Sequence, residues 1–230
     1  MTITRIALAL ALVTLLSFTA SARTATGDLF VIHGIPNLPE PVDVYANGGY
    51  LFSFDYNQSA GPLSLDPDTY FIEVKLQGNT VLSATAEVEA GGNYTAIAHL
   101  TPPAPGGSPG LKLSLFANNT SAIGPYQTRL TVRHTANAPG VDALFSRGYV
   151  GTFPVAKALN LTNGDMPGQF GEIDLRWGLL RTQLFPAGSD MMVFDSGVLF
   201  LFPGVSTIVY PIGSLDDGTF TLFVQTIDLI

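Results

Sequence analysis

The chain has 230 residues, 47% of them hydrophobic and 12% charged, with 24 glycines, 16 prolines, no cysteine and a net charge of −8. An acidic chain is repelled by nucleic acid and by anionic lipid, so neither is expected as a partner. The lack of cysteine excludes disulfides, thiol chemistry and cysteine-type zinc sites. Apolar residues mixed with this many turn formers suit strands better than helices.

Arg5, the apolar run from Ile6 to Leu16 and the small residues Ala20-Ser21-Ala22 have the pattern of a cleavable export signal. The run falls short of the about 20 residues needed to span a bilayer. Residues 1–22 are therefore expected to be removed, leaving no transmembrane span. The mature protein is expected in the periplasm, on the cell surface or outside the cell.

From Leu29 to Gly48 the sequence reads LFVIHGIPNLPEPVDVYANG, and from Leu130 to Gly148 it returns as LTVRHTANAPGVDALFSRG. Each copy has a strand-like run ending in a histidine (His33, His134), a Pro/Asn loop, and a second run opening on Val42-Asp43 or Val141-Asp142. The two histidines lie about one domain length apart. The chain thus reads as two copies of one module, residues 23–124 and 125–230. Asn47-Gly48 marks a tight hairpin, and Tyr70 to Gln77 alternates with the period of a half-buried strand. The Pro/Gly stretch Thr101 to Gly110 is read as an enlarged hairpin loop inside module one, because the repeat demands one more strand after it, Leu111 to Ala117. In module two the expected runs include Tyr149–Phe153, Phe170–Trp177, Met191–Phe194 and Val198–Phe202. The fold class expected is all-β: two tandem Ig-like antiparallel β-sandwiches of roughly seven strands each.

Val198–Phe202 and Phe220–Val224 are apolar on both strand faces. Such strands need covering twice, either by the neighbouring module and its loops or by self-assembly through module two.

His33 with Asp43, and His134 with Asp142, flank their loops, and could form a metal or acid–base pair. One histidine and one aspartate are too few for a closed zinc site, so the four residues are read as a structural loop motif, the imidazoles bonding loop carbonyls and the carboxylates bonding backbone N–H groups. Gly106-Gly107-Ser108-Pro109-Gly110 matches G-x-S-x-G, but Pro109 has no N–H for an oxyanion hole and no helix follows. Asp66/Asp68 and Asp216/Asp217 are turn chemistry rather than calcium sites. Trp177, Tyr50 and Tyr149 are the candidate ligand contacts, since sugars stack on exposed aromatic rings. Tyr94, just after a turn, has the position of a tyrosine corner.

The repeated loop resembles the exported bacterial domain-of-unknown-function family 4397. Val31, His33, Pro36, Pro39, Val42, Asp43, Val44, Tyr45, Asn47 and Gly48 carry the likeness in module one; Val132, His134, Ala136, Ala138, Pro139, Val141 and Asp142 carry it in module two. In module two Ala143-Leu144 replaces Val-Tyr. The resemblance implies paired Ig-like sandwiches outside the cell and transfers no catalytic residue. No catalytic set, metal or cofactor is expected, and the protein is read as no enzyme. It is expected to be a structural or interaction component of the envelope, surface or matrix, acting through protein or glycan contacts. The alternative is a carbohydrate-binding module or glycan-active protein.

Overall fold

The computed structural model describes residues 25–39, 41–147, 153–161 and 171–229, except the side chains of 153 and 155–161. The expected leader lies outside the described residues. Every regular element described is a strand, sixteen in all. The first eight are β1 (Gly27–Gly34), β2 (Val42–Ala46), β3 (Gly49–Phe54), β4 (Ser59–Leu65), β5 (Asp68–Leu76), β6 (Asn79–Val88), β7 (Asn93–Thr101) and β8 (Gly110–Ala117). The second eight are β9 (Gln127–Val132), β10 (Val141–Arg147), β11 (Phe153–Leu161), β12 (Glu172–Arg176), β13 (Gly178–Pro186), β14 (Phe194–Leu201), β15 (Val205–Ile212) and β16 (Thr221–Asp228).

Each set forms two four-stranded sheets with the same strand order. In module one these are β4-β1-β7-β8 and β3-β2-β5-β6; in module two, β12-β9-β15-β16 and β11-β10-β13-β14. The repeat seen in the loop therefore extends to every strand. Two features differ from expectation. Each module has eight strands among the described residues, where about seven were expected: β4 was not foreseen, the expected run Tyr149–Phe153 lies outside the described residues except for Phe153, which opens β11, and one strand, β14, begins at the last residue of Met191–Phe194 and takes in most of Val198–Phe202, leaving Met191–Val193 outside it. The pairings β1–β7 and β9–β15 are parallel, in otherwise antiparallel sheets.

Local chemistry fixes the hairpins. Asn47 and Gly48 have φ of 48° and 77°, the pair of positive angles that a two-residue type I′ turn requires. The Pro/Gly stretch does close a hairpin, with Thr101 opposite Gly110 across β7 and β8. Tyr94 accepts the Glu89 N–H at 3.2 Å, as a tyrosine corner does, and its ring lies where a side chain on Gly92 would stand.

Three cores follow from strand alternation. Leu29 and Val31 of β1 and Ala96 and Ala98 of β7 meet Val42, Val44, Ile72 and Val74 of the facing sheet. Leu130 and Val132 of β9 and Val209 of β15 meet Ala143, Phe145, Leu180 and Leu184. The third core lies between the modules: Ile32 of β1 and Ile97 of β7 pack against Ile208, Tyr210 and Ile212 of β15 and Ile227 of β16. The molecule is thus a stack of four sheets. The sheets containing β1 and β9 are the two inner layers, and those containing β2 and β10 the two outer ones. Each buried isoleucine stabilises by about 1.5–3 kcal/mol, so the modules are packed together rather than strung on a linker.

The linker is held as well. The buried Arg129 guanidinium binds both Asp174 oxygens, at 2.9 and 3.1 Å, and also reaches the Asn119 and Ser121 carbonyls. Gly34 lies where the modules approach closely. A Cβ there would stand 3.0 Å from the Ala98 carbonyl oxygen and 3.0 Å from Ile212 Cγ2. Gly34→Val is expected to cost about 1–3 kcal/mol by overpacking, read as a lower urea midpoint; an unchanged midpoint would show that the junction yields.

Candidate functional site

The two histidine loops are built alike. Alternation along β1 turns His33, with Leu29 and Val31, toward the sandwich interior, where its ring packs against Phe54 and Tyr56. Its Nδ1 accepts the Ile35 N–H at 3.3 Å. In module two His134 Nδ1 accepts the Ala136 N–H at 3.3 Å, and Nε2 donates to the Pro139 carbonyl at 3.0 Å. Burial lowers the His33 pKa to about 4, opposed in part by the Asp55 charge. Burial lowers that of His134 too, opposed by the Pro139 hydrogen bond. Both imidazoles are neutral at pH 7.

The aspartates face the other way. Val42 and Val44 point into the core, so Asp43 between them points outward, where it accepts the Ser53 hydroxyl and lies opposite Lys75 in register. Asp142, between Val141 and Ala143 of the second core, accepts the Gly188 N–H at 3.2 Å. Each histidine is thus directed into its sandwich and each aspartate away from it. The geometry ties loops together and does not assemble an acid–base pair.

The remaining motifs sit in turns. Ser108 lies in the exposed β7–β8 loop, followed by a strand rather than a helix. Asp68 accepts the Thr69 N–H at 2.7 Å, and Asp217 accepts the N–H and hydroxyl of Thr219. Among the described residues no three metal-ligating side chains cluster.

The candidate aromatic contacts are far apart. Tyr50 is on the outer sheet of module one, its hydroxyl 3.0 Å from Ser53 Oγ and its ring edge-on to Tyr45. Tyr149 lies outside the described residues. Trp177 occupies the bend between β12 and β13, with its N–H bonded to the Tyr126 carbonyl. Its ring meets Phe200 at 5.9 Å and 63°, and Phe200 meets Phe202 at 4.8 Å and 71°. These three side chains are 37%, 46% and 56% exposed, and Val198 and Tyr126 are also exposed.

This ledge corrects one alternative expected for Val198–Phe202, that the neighbouring module or its own loops cover the second face. β14 is an edge strand of an outer sheet, not a central one. Leu201 faces the core, while Val198, Phe200 and Phe202 face outward and are bare. Phe220–Val224 behaves differently: Phe220 and Leu222 pack on the second core, Phe223 packs on the junction between modules, and Val224 is exposed. Val198–Phe202 stood out in the sequence as a strand in need of cover, but Phe200 and Phe202 were not among the candidate ligand contacts, because apolar alternation gives their spacing and not whether anything covers them. A concavity of about 500 Å³ lies at the junction of the modules, bordered by Asp28, Phe30, Asn93, Thr120, Thr226 and Asp228.

No helix among the described residues is long and apolar enough to cross a membrane. No curated protein matches the chain. A crystal structure described as a candidate cell adhesion protein from Bacteroides ovatus aligns over 90% of this chain and 99% of its own, at 9% identity and a TM-score of 0.28, a level that carries no inference about fold or role. Residues 27–144, just over half of the chain and spanning both histidine loops, match the model of the family described as domain of unknown function DUF4397, and the chain belongs to that family.

Proposed function

We propose that this is an exported, non-enzymatic surface protein that acts through protein contacts made by the ledge of Trp177, Phe200 and Phe202. The observation that carries the reading is this run of exposed aromatic rings on the bare face of an outer sheet. Aromatic side chains are the residues that most often anchor protein interfaces, and contiguous exposed apolar surface marks interaction sites. The ring angles of 63° and 71° weigh against a flat glycan platform, because successive sugars stack best on rings that share a plane. Supporting the non-enzymatic part, the histidines and aspartates of the repeated loops point apart and serve as loop ties. Glycan binding is the second reading, favoured by the junction concavity, whose lining combines Asp28, Asp228, Thr120 and Thr226 with the ring of Phe30.

The test is binding of labelled full-length protein to intact producing cells. Trp177→Ala combined with Phe202→Ser is expected to reduce binding about tenfold or more, with an unchanged far-ultraviolet spectrum, and protease treatment of the cells is expected to remove the sites. Binding untouched by the double variant would overturn the reading. Sites lost to glycosidase but not protease would favour the glycan.

A further inference from the structure

Strand register shows where the packing between the modules ends. On module one, the parallel pair β1 and β7 sets Ile32 beside Ile97, then Phe30 beside Thr95, then Asp28 beside Asn93. On module two, β15 and β16 set Tyr210 beside Phe223, then Ile208 beside Gln225, then Ser206 beside Ile227. The isoleucines and Tyr210 close against one another. Asp28, Asn93 and Ser206 of the last rows are polar, and there the concavity of about 500 Å³ opens, lined by both modules. Sites for small molecules commonly measure about 300–1,000 Å³ and favour the seams between domains.

The lining has no lysine, arginine or histidine. Phe30 and Pro62 form an apolar wall, and Thr120, Thr226, Asp28 and Asp228 contribute hydroxyls and carboxylates. Two of the polar groups are held in place from one side. Asp28 Oδ1 accepts the Ser64 hydroxyl at 2.9 Å, and Asn93 Oδ1 accepts from Asn118 Nδ2 at 2.7 Å. Each keeps its second polar atom, the other carboxylate oxygen or the amide nitrogen, for a ligand, as a preorganised site does. The side chains of Thr120, Thr226 and Asp228 make no hydrogen bond to another described residue. One row deeper on the same face of β16, Gln225 is 7% exposed. Its Oε1 accepts from Thr95 and Tyr210, while its Nε2 is buried without a partner. A half-satisfied amide under a polar concavity is a donor in need of an oxygen.

A phosphate or carboxylate ligand would meet two carboxylates and no cation, so anions are excluded. A neutral polyol suits the lining. Its hydroxyls donate to the carboxylates and accept from the amide, and its C–H face lies against a ring. We infer that the concavity binds a short neutral saccharide, with Asp228, Thr226 and Asn93 as its hydrogen-bonding residues and Phe30 as the ring it lies on. This deepens the glycan reading of the same concavity and does not depend on the aromatic ledge. Both modules and the linker at Thr120 supply the lining, so the site exists only while the modules are docked, and occupancy stabilises the docked arrangement.

The experiment is an amide chemical-shift titration of labelled full-length protein with cellobiose, maltose and N,N′-diacetylchitobiose, all neutral disaccharides, up to tens of millimolar. At least one is expected to shift Gly91, Gly92, Asn93 and Thr226 together and to slow proteolysis within residues 118–126. Asp228 and Thr226 are exposed, so Asp228→Ala and Thr226→Val should fold with unchanged spectra. The first is expected to weaken binding about tenfold or more and the second about threefold or more, the effects of losing a charged and a neutral hydrogen bond. Trp177→Ala combined with Phe202→Ser is expected to leave saccharide binding unchanged, which separates this site from the ledge. An absence of shifts at these positions with all the disaccharides would overturn the inference, as would binding that survives Asp228→Ala and Thr226→Val together. Shifts produced by spermidine and by no disaccharide would also overturn it, making the concavity a site for cations.

Discussion

Tyr210→Ala should destabilise the protein by about 3–5 kcal/mol, the range for emptying a large buried aromatic site. Tyr210 is fully buried in the core between the modules, touching Phe116 of module one and Phe223 of module two. Its hydroxyl is also a member of a closed ring of hydrogen bonds across the junction. Arg133 donates to the Tyr210 hydroxyl at 2.8 Å and to Asn118 Oδ1 at 2.7 Å. Asn118 Nδ2 donates to Thr95 Oγ1 at 2.9 Å, and Thr95 and Tyr210 both donate to Gln225 Oε1 at 3.0 Å. Burial raises the Tyr210 pKa, with Arg133 pulling the other way, so the phenol remains the donor that Gln225 needs.

Phenylalanine at this position keeps the ring and removes the hydroxyl. It is expected to cost less, about 1–3 kcal/mol, the effect of leaving buried partners unsatisfied. The Arg133 guanidinium also lies 4.6 Å from the Phe116 ring centre, an attraction that survives Tyr210→Phe and should soften the loss. Urea unfolding measures both values, and proteolysis within residues 118–126 reports whether the modules part before they unfold. Equal losses for Tyr210→Phe and Tyr210→Ala would mean that the ring of hydrogen bonds, not the packing, holds the junction. A loss below about 1 kcal/mol for alanine would mean that neither does.

The sequence pattern made the repeat, the all-β class and the Asn47-Gly48 turn readable, because each rests on local chemistry: a period of two, a φ sign, a duplicated loop. What it hid were the strands and surfaces whose identity depends on a neighbour. Ser59–Leu65 reads as loop because of Gly61 and Pro62, and it survives as β4 by lying at a sheet edge, where a missing N–H is tolerated. The two-sided burial of β7 was masked by polar residues. Thr95 and His99 sit among its apolar positions, and both are fully buried. His99 is satisfied by the Leu100 carbonyl and by Ser114 Oγ, each at 2.9 Å, and Thr95 by Gln225, distant in sequence. Conversely β14 looked central because it is apolar on both sides. A strand facing the core of its own molecule and a strand facing a partner carry the same residues, so no periodicity separates them. The histidine and aspartate of each loop were legible as a pair, but neighbouring strand faces separate them in space.

Acid should weaken the fold in a window set by those two histidines. An unfolded-chain histidine titrates near pH 6.5, whereas His33 in the fold titrates at about 4 because its ring is buried. Above pH 6.5 the imidazole is neutral in both states and contributes no pH dependence. Between pH 6.5 and 4 the unfolded chain binds a proton that the folded chain refuses, so stability falls as the pH falls, by about 3 kcal/mol at full extent. His134 is shifted in the same direction by burial and steepens the loss. The folded carboxylate of Asp195, held below the usual range by its hydrogen bonds from Arg181, acts in the same sense but only at more acidic pH, where unfolded carboxylates themselves titrate. Urea midpoints at pH 7.5, 6.0 and 4.5 isolate the histidine part, and His33→Asn with His134→Asn should lower stability at pH 7.5 while flattening the decline between 6.5 and 4.5. Protonation would also remove the Nδ1 acceptors that hold Ile35 and Ala136, so the same window should loosen both loops and speed amide exchange at those two positions. A wild-type midpoint that stays level down to pH 4.5 would show that the imidazoles find water or a counter-charge on protonation, with the carboxylate of Asp55 the nearest source for His33.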